Sequence, residues 1–235
     1  MKKRPLITAI LLILLVLLPF NVTAQNNNNN EKTVEELFLQ NIQMTVIGEQ
    51  AVSNNRDSKL KALDYIEDLI ASGKANSGDS DVHAILDYLS LTGTGVKFKE
   101  AGHVINNFPE VRRRSCELLG KLGGEGAKDT LVNILLTEDE PMVLSEAAYA
   151  LGKIGINKNN QVSQALSYAL LNQNILTPDN NFAFAVLLAY EKLAKANDGL
   201  NDPVVLKAII RIQNGNYIKD VKRKAEELIK ILSDY

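Results

Sequence analysis

Two stretches of the chain repeat one pattern. Val111–Gly124 reads VRRRSCELLGKLGG, and 32 residues later Val143–Ile156 reads VLSEAAYALGKIGI. The last core leucine or isoleucine of five such segments falls at Leu69, Leu122, Ile154, Leu193 and Leu232, with spacings of 53, 32, 39 and 39. On that alignment Val111, Val143, Phe182 and Val221 coincide at a helix start. Ser115, Ala147, Val186 and Ala225 coincide one turn on, followed by Leu118, Ala150, Ala189 and Leu228. These steps place each set on one face of a 3.6-residue helix. A single helix pair cannot bury such a stripe, whereas stacked pairs can, so the repetition dictates a stacked helical array.

The rest of the chain agrees with that reading. Leu, Ile, Ala, Lys and Glu dominate, tryptophan is absent and aromatics are 6%, a helix-forming composition. Apolar periodicity predicts helices over 33–52, 57–72, 80–91, 110–122, 125–136, 141–154, 161–172, 179–197, 202–213 and 218–233. Thr33 and Glu36 have capping-box spacing. Pro141, Pro178 and Pro203 sit where first helical residues belong, with Thr177 and Asp202 as N-caps for the last two. The expected fold is all-α, a superhelix of about five helix pairs over 33–235.

The segments quoted above resemble the HEAT repeat, especially the short bacterial form related to phycobilisome-lyase-type repeats. That family's repeats start with valine-arginine, carry a pair of small residues and end leucine-glycine-x-isoleucine-glycine. DVKRKAEELIKIL, beginning at Asp220, keeps the valine, the basic residues and the core leucines but loses both glycines; NFAFAVLLAYEKLA and SKLKALDYIEDLI match by apolar pattern alone. The resemblance implies that Arg112 serves inter-repeat hydrogen bonding and that the second helix of each pair lines the concave side. Cys116, the only cysteine, aligns with Ala148 in the small-residue pair and reads as an alanine-like core residue.

The amino-terminal residues carry a different signal. Lys2, Lys3 and Arg4 precede an apolar run from Leu6 to Leu18, and Pro19 and the small residues Thr23 and Ala24 follow. This is the layout of a signal peptide, 1–24, cleaved after Ala24, since the run falls short of the roughly 20 residues that span a bilayer. Residues 25–32 read as a disordered Asn-rich linker. The mature chain is then expected in the periplasm or cell envelope, without stable membrane insertion. Its net charge moves from −2 to −5 as three cations leave. An acidic balance gives no footprint for nucleic acid. A lone cysteine precludes an internal disulfide.

Little in the sequence points to chemistry. His83 and His103 are the only histidines, and neither belongs to a metal-binding pattern. They precede Ala84 and Val104, so the paired His-Glu dipeptides of HEAT-like hydroxylases are missing. Missing tryptophan, an acidic balance and export argue against the repeat-built DNA glycosylases. TGTG at Thr92–Gly95 lacks the Gly-Lys-Ser/Thr ending of a phosphate loop. The pairs Glu138/Glu140 and Glu226/Glu227 read as solvated carboxylates on helix ends and faces. Arg112–Arg114 invites a phosphate-binding reading, but Glu117 and Lys121 make that face mixed in sign. No cofactor is expected.

One connection is long. Thr92–Pro109 alternates around a glycine, which suggests either a small β-hairpin at 96–105 or a short helix across Phe98–Val104. The function expected is that of a non-enzymatic scaffold that binds a protein partner. Tyr149, Phe184 and Leu188 form its apolar centre, with Arg113, Glu117, Lys121, Lys153 and Lys192 as a polar rim. Because 182–190 is apolar all round, that stretch also reads as a buried central helix. The alternative function is ligand binding or catalysis, as in a lyase-like relative, using the 92–109 insertion and His103.

Overall fold

The computed structural model describes residues 33–235. The signal peptide expected over 1–24 and the linker over 25–32 lie outside the described residues. Two units are distinguished, divided between Leu39 and Gln40. Of the first, 33–39 is described and consists of the opening turns of a helix. They are closed by the expected capping box: Glu36 N donates to Thr33 Oγ1 at 3.2 Å and Thr33 N to Glu36 Oε2 at 2.9 Å.

Ten α-helices occur among the described residues. They are α1 (Val34–Val52), α2 (Arg56–Ala71), α3 (Ser80–Ser90), α4 (Pro109–Leu122), α5 (Gly124–Thr137), α6 (Pro141–Ile154), α7 (Gln161–Leu171), α8 (Asn180–Ala196), α9 (Pro203–Asn214) and α10 (Lys219–Ser233). Within the second unit α2, α4, α6, α8 and α10 stack side by side as one layer, and α3, α5, α7 and α9 form the other. The layers share one core. The repeat-aligned residues Val111, Val143, Phe182 and Val221 at the helix starts are buried, as are the Ser115 and Leu118 sets, while the end anchors Ile154 and Leu232 are half-buried against the core.

Two glycines of the repeat explain how closely these helices pack. A Cβ on Gly120 would lie 2.7 Å from the Cβ of Ala150, and one on Gly152 only 2.6 Å from the Cα of Ala189. Neither distance is compatible with a side chain, so α4 meets α6, and α6 meets α8, nearly backbone to backbone. The aligned position in α8 is Glu191, where the close approach ends. There Lys224 of α10 donates to Glu191 Oε2 at 2.5 Å.

The start signals need one correction. Pro141 and Pro203 open their helices, and Asp202 caps α9 by accepting from Val204 N at 3.0 Å. Pro178, however, precedes α8, whose N-cap is Asp179 rather than Thr177. Asp179 Oδ1 accepts from Phe182 N at 2.7 Å. A carboxylate is the better cap because it also faces the positive end of the helix.

The insertion resolves as a hairpin, not a helix. β1 (Lys99–Glu100) pairs antiparallel with β2 (His103–Val104), Glu100 opposite His103. Ala101 and Gly102 both take positive φ, 47° and 85°, as a two-residue turn matched to strand twist requires. Buried Asn106 fastens the base: its Nδ2 donates to Val96 O at 2.8 Å and its Oδ1 accepts from Phe98 N at 2.9 Å.

Lys59 of α2 is fully buried despite its charge. Its Nζ donates to Ala51 O at 2.5 Å and lies 5.1 Å from the centre of the Tyr88 ring. Burial lowers its pKa, because an ammonium is costly to desolvate.

Candidate functional site

The layer formed by α4, α6, α8 and α10 carries a groove of about 900 Å³. These four helices run parallel. Arg113 meets Glu146 near their starts while Gly120 meets Ala150 near their ends. Asn180 Oδ1 likewise accepts from Ile218 N near the starts of α8 and α10, and Glu191 meets Lys224 further along. The groove therefore runs across the helices, with the starts of α6, α8 and α10 along one side and the ends of α4 and α6 along the other.

Seven of the eight residues expected at the site line this groove: Arg113, Glu117, Lys121, Tyr149, Lys153, Phe184 and Leu188. The eighth, Lys192, stands beside it with Nζ 5.4 Å from the centre of the Tyr149 ring, within cation–π range. The reading of 182–190 as wholly buried fails at two positions. Phe182, Ala183 and Ala185–Leu187 are buried, but Phe184 is 37% exposed and Leu188 half-buried, both facing the groove. Tyr149 is 41% exposed.

Several lining residues went unnoticed in sequence. Glu140, Met142, Glu146, Asp179, Ile218 and Asp220 complete the wall. Most occupy the caps and first turns of α6, α8 and α10, and those three helix starts were legible; that they would meet along one side was not. Met142 and Ile218 add exposed apolar surface beside Tyr149 and Phe184.

The arginine run is fully engaged, and each member faces a different element. Arg112 is buried against Glu138, as the repeat resemblance implies. Arg113 contacts Glu146 at 3.2 Å and Glu117 at 3.8 Å. Arg114 contacts Asp64 at 2.6 Å and Glu67 at 2.7 Å. Lys121 bridges Glu67 and Glu117 at 2.6 and 2.8 Å. With these cations paired, a phosphate site there is disfavoured. The solvated reading of Glu138 is also wrong: its side chain is 5% exposed and paired with Arg112.

These pairs shift the carboxylates in opposite directions. Hydrogen bonds from Lys121 and Arg114 hold Glu67 below the usual carboxylate range. Glu146 is pushed up, because desolvation in the groove wall outweighs the attraction of Arg113. Cys116 lies under the groove, fully buried, and burial raises its thiol pKa far above the ordinary range. A protonated, inaccessible thiol is a poor nucleophile. His103 stays exposed on β2, on the insertion rather than in the groove.

Comparisons with known proteins agree with this architecture. The family of HEAT repeats matches residues 104–181, from the end of the hairpin's second strand through α4–α7 to the start of α8. Among solved structures, the complex of CpcE and CpcF of phycocyanin lyase from Nostoc sp. PCC7120 is similar in fold. Its TM-score is 0.54 at 18% identity, over 89% of this chain and 68% of that one. No curated protein sequence matches the chain. No helix among the described residues is long and apolar enough to cross a membrane. Stacked helix pairs, the repeated glycine contacts and the buried Arg112 agree with these matches: residues 104–181 are similar to HEAT repeats, and the fold is an all-α, HEAT-like superhelix.

Proposed function

We propose that the chain is an exported, non-enzymatic scaffold that binds another protein in the periplasm or cell envelope through the α4–α6–α8–α10 groove. One observation carries this reading. Tyr149 and Phe184 stand part-exposed at the centre of a groove whose surroundings are charged side chains. Aromatic anchors inside a polar rim are the arrangement that concentrates binding energy at protein interfaces. HEAT solenoids as a class offer extended surfaces of this kind. Export rests on the amino-terminal sequence alone, with cleavage after Ala24.

Crosslinking in the envelope fraction, with capture of the wild-type chain and of Tyr149→Ala in parallel, tests the reading. A stoichiometric protein retained by the wild type and lost from the variant supports it. A partner retained equally by both would overturn the groove as its site. A small molecule retained in place of a protein would favour ligand binding or catalysis through the 92–109 insertion.

A further inference from the structure

The groove is sorted by charge, and the sorting has a structural origin. Its helices are parallel, so residues at the starts of α6, α8 and α10 share one rim, Glu140, Asp179 and Asp220, while the charge of Arg113 on α4 is taken up by Glu146 and Glu117. Toward the helix ends the other rim carries Lys153 of α6, with Lys192 of α8 beside it. Lys121 extends the second rim but is already engaged by Glu67 and Glu117. Asp220 is met by Arg223 in an exposed pair at 3.0 Å, and such a pair contributes little and exchanges partners readily. Between the rims the floor is Tyr149, Phe184 and Leu188.

The dimensions restrict what can lie there. Lys153 lies twelve positions after Pro141 on α6, so the rims are about 18 Å apart at a rise of 1.5 Å per residue. An α-helix with its side chains is about 10–12 Å wide, which leaves room for side chains to reach both rims. Crossing four helices at 8–10 Å per step gives a groove about 24–30 Å long, the length of roughly 16–20 helical residues. The floor is walled by helices whose backbone groups bond internally. An extended segment laid on its apolar surface would leave its own N–H and C=O groups without partners, whereas a helix satisfies them itself.

Resting on the proposal that the groove binds protein, we infer that its occupant is an amphipathic helix of the partner. Its apolar stripe covers Tyr149 and Phe184, one basic edge faces Glu140, Asp179 and Asp220, and one acidic edge faces Lys153 and Lys192. Reversing a helix end to end exchanges its edges. The sorted rims therefore fix the direction in which the partner helix lies.

The test uses the purified chain and three synthetic helical peptides of about 18 residues with one shared leucine stripe. One carries lysine on one edge and glutamate on the other, one lysine on both, and one glutamate on both. The sorted peptide is expected to bind about tenfold tighter than either of the others, as several weak pairs sum. A nitroxide at its amino terminus should broaden resonances at the α4 end or the α10 end alone. An edge-exchanged peptide should move the broadening to the opposite end. Glu140→Lys with Asp220→Lys, checked for fold by circular dichroism, should weaken the sorted peptide and strengthen the all-glutamate one. Equal affinities for all three peptides, or broadening at both ends, would overturn the inference. Failure of every peptide to bind would also overturn the helical occupant. Loss of the native partner from Tyr149→Ala would then still uphold the groove as a protein-binding site.

Discussion

Arg112 and Glu138 form a two-pronged ion pair inside the protein. Arg112 Nε donates to Glu138 Oε2 at 2.6 Å and Nη2 to Oε1 at 3.2 Å. The remaining nitrogen, Nη1, donates to Thr92 O at 3.0 Å and Asn107 Oδ1 at 2.7 Å, tying down both ends of the insertion. Glu138 Oε1 in turn accepts from Asp139 N and Glu140 N, which shapes the turn leading to the acidic rim. One buried guanidinium thus joins α4, the α5–α6 turn and the base of the hairpin.

Removing one partner strands the other charge in the core. Glu138→Ala is expected to cost about 3–5 kcal/mol in urea unfolding. Arg112→Lys should recover little, since an ammonium cannot reproduce the fork. Amide exchange over 92–109 should accelerate in both variants. An exchange rate unchanged from wild type would show that the hairpin is held by Asn106 alone.

Two glycines should respond to alanine with opposite signs. Gly152→Ala must force its Cβ against Ala189, and overpacking of this kind costs about 1–3 kcal/mol. That exceeds the roughly 1 kcal/mol that alanine gains in helix propensity. At Gly48 in α1 nothing among the described residues lies within 4 Å of the added Cβ, so Gly48→Ala should stabilise by up to about 1 kcal/mol. Thermal unfolding of the two variants gives the comparison, and a stabilised Gly152→Ala would mean that α6 and α8 can separate cheaply.

The core repeat makes a ranking of its own. Leu151→Ala should cost about 2–5 kcal/mol, because α6 shares its core with neighbours on both sides. Cys116→Ala should be much milder, since a similar small side chain fills the same space. Native Cys116 should resist alkylation until the protein unfolds, given its burial and raised pKa. Rapid labelling of the folded chain would contradict this placement.

Much of this was legible because the repeat is local and periodic. Val111, Val143, Phe182 and Val221 could be superimposed from sequence spacing alone, and helix geometry then fixed their common face. Pairing between distant residues was not legible. Glu138 looks like any carboxylate near a helix end until Arg112, 26 residues earlier, is brought against it. A lysine is ordinarily a surface residue, yet the end of α1 supplies a carbonyl that allows Lys59 to be buried. The apolar floor around Tyr149 came from periodicity, whereas Glu140, Asp179 and Asp220 became neighbours only once parallel packing aligned three helix starts.

Glu191 gives the protein an acid-sensitive joint between α8 and α10. Hydrogen bonds from Lys195 and Lys224 lower its pKa to about 2, against an ordinary value of 4.5. A depressed folded-state pKa contributes stability that is present above pH 4.5 and is lost as pH falls toward 2. Lys195 is largely exposed, so the contribution is discounted for solvent and amounts to no more than about 2–3 kcal/mol. Glu191→Gln should lower stability at pH 7 and flatten the loss between pH 4.5 and 2. Glu146 works the other way: its raised pKa means that its contribution declines as pH rises through the carboxylate range. Parallel pH–stability curves for wild type and Glu191→Gln would refute the Glu191 assignment.

The groove residues can be separated from the core by the same kind of measurement. Tyr149 and Phe184 are each part-exposed, so their truncation removes less buried surface than Leu151→Ala and should leave the fold intact by circular dichroism. If they anchor a partner, Tyr149→Ala and Phe184→Ala should each weaken its binding by at least about 1–2 kcal/mol. Lys153→Glu should act differently, slowing association and changing its salt dependence, because rim charges steer an encounter more than they hold the complex. Lys121 is a poorer probe of steering, since its charge is already shared between Glu67 and Glu117. Suppose instead that Phe184→Ala unfolds the protein while Tyr149→Ala leaves partner binding unchanged. The aromatic centre would then be structural, and the binding surface would have to be sought on the exposed hairpin, around Phe98 and His103.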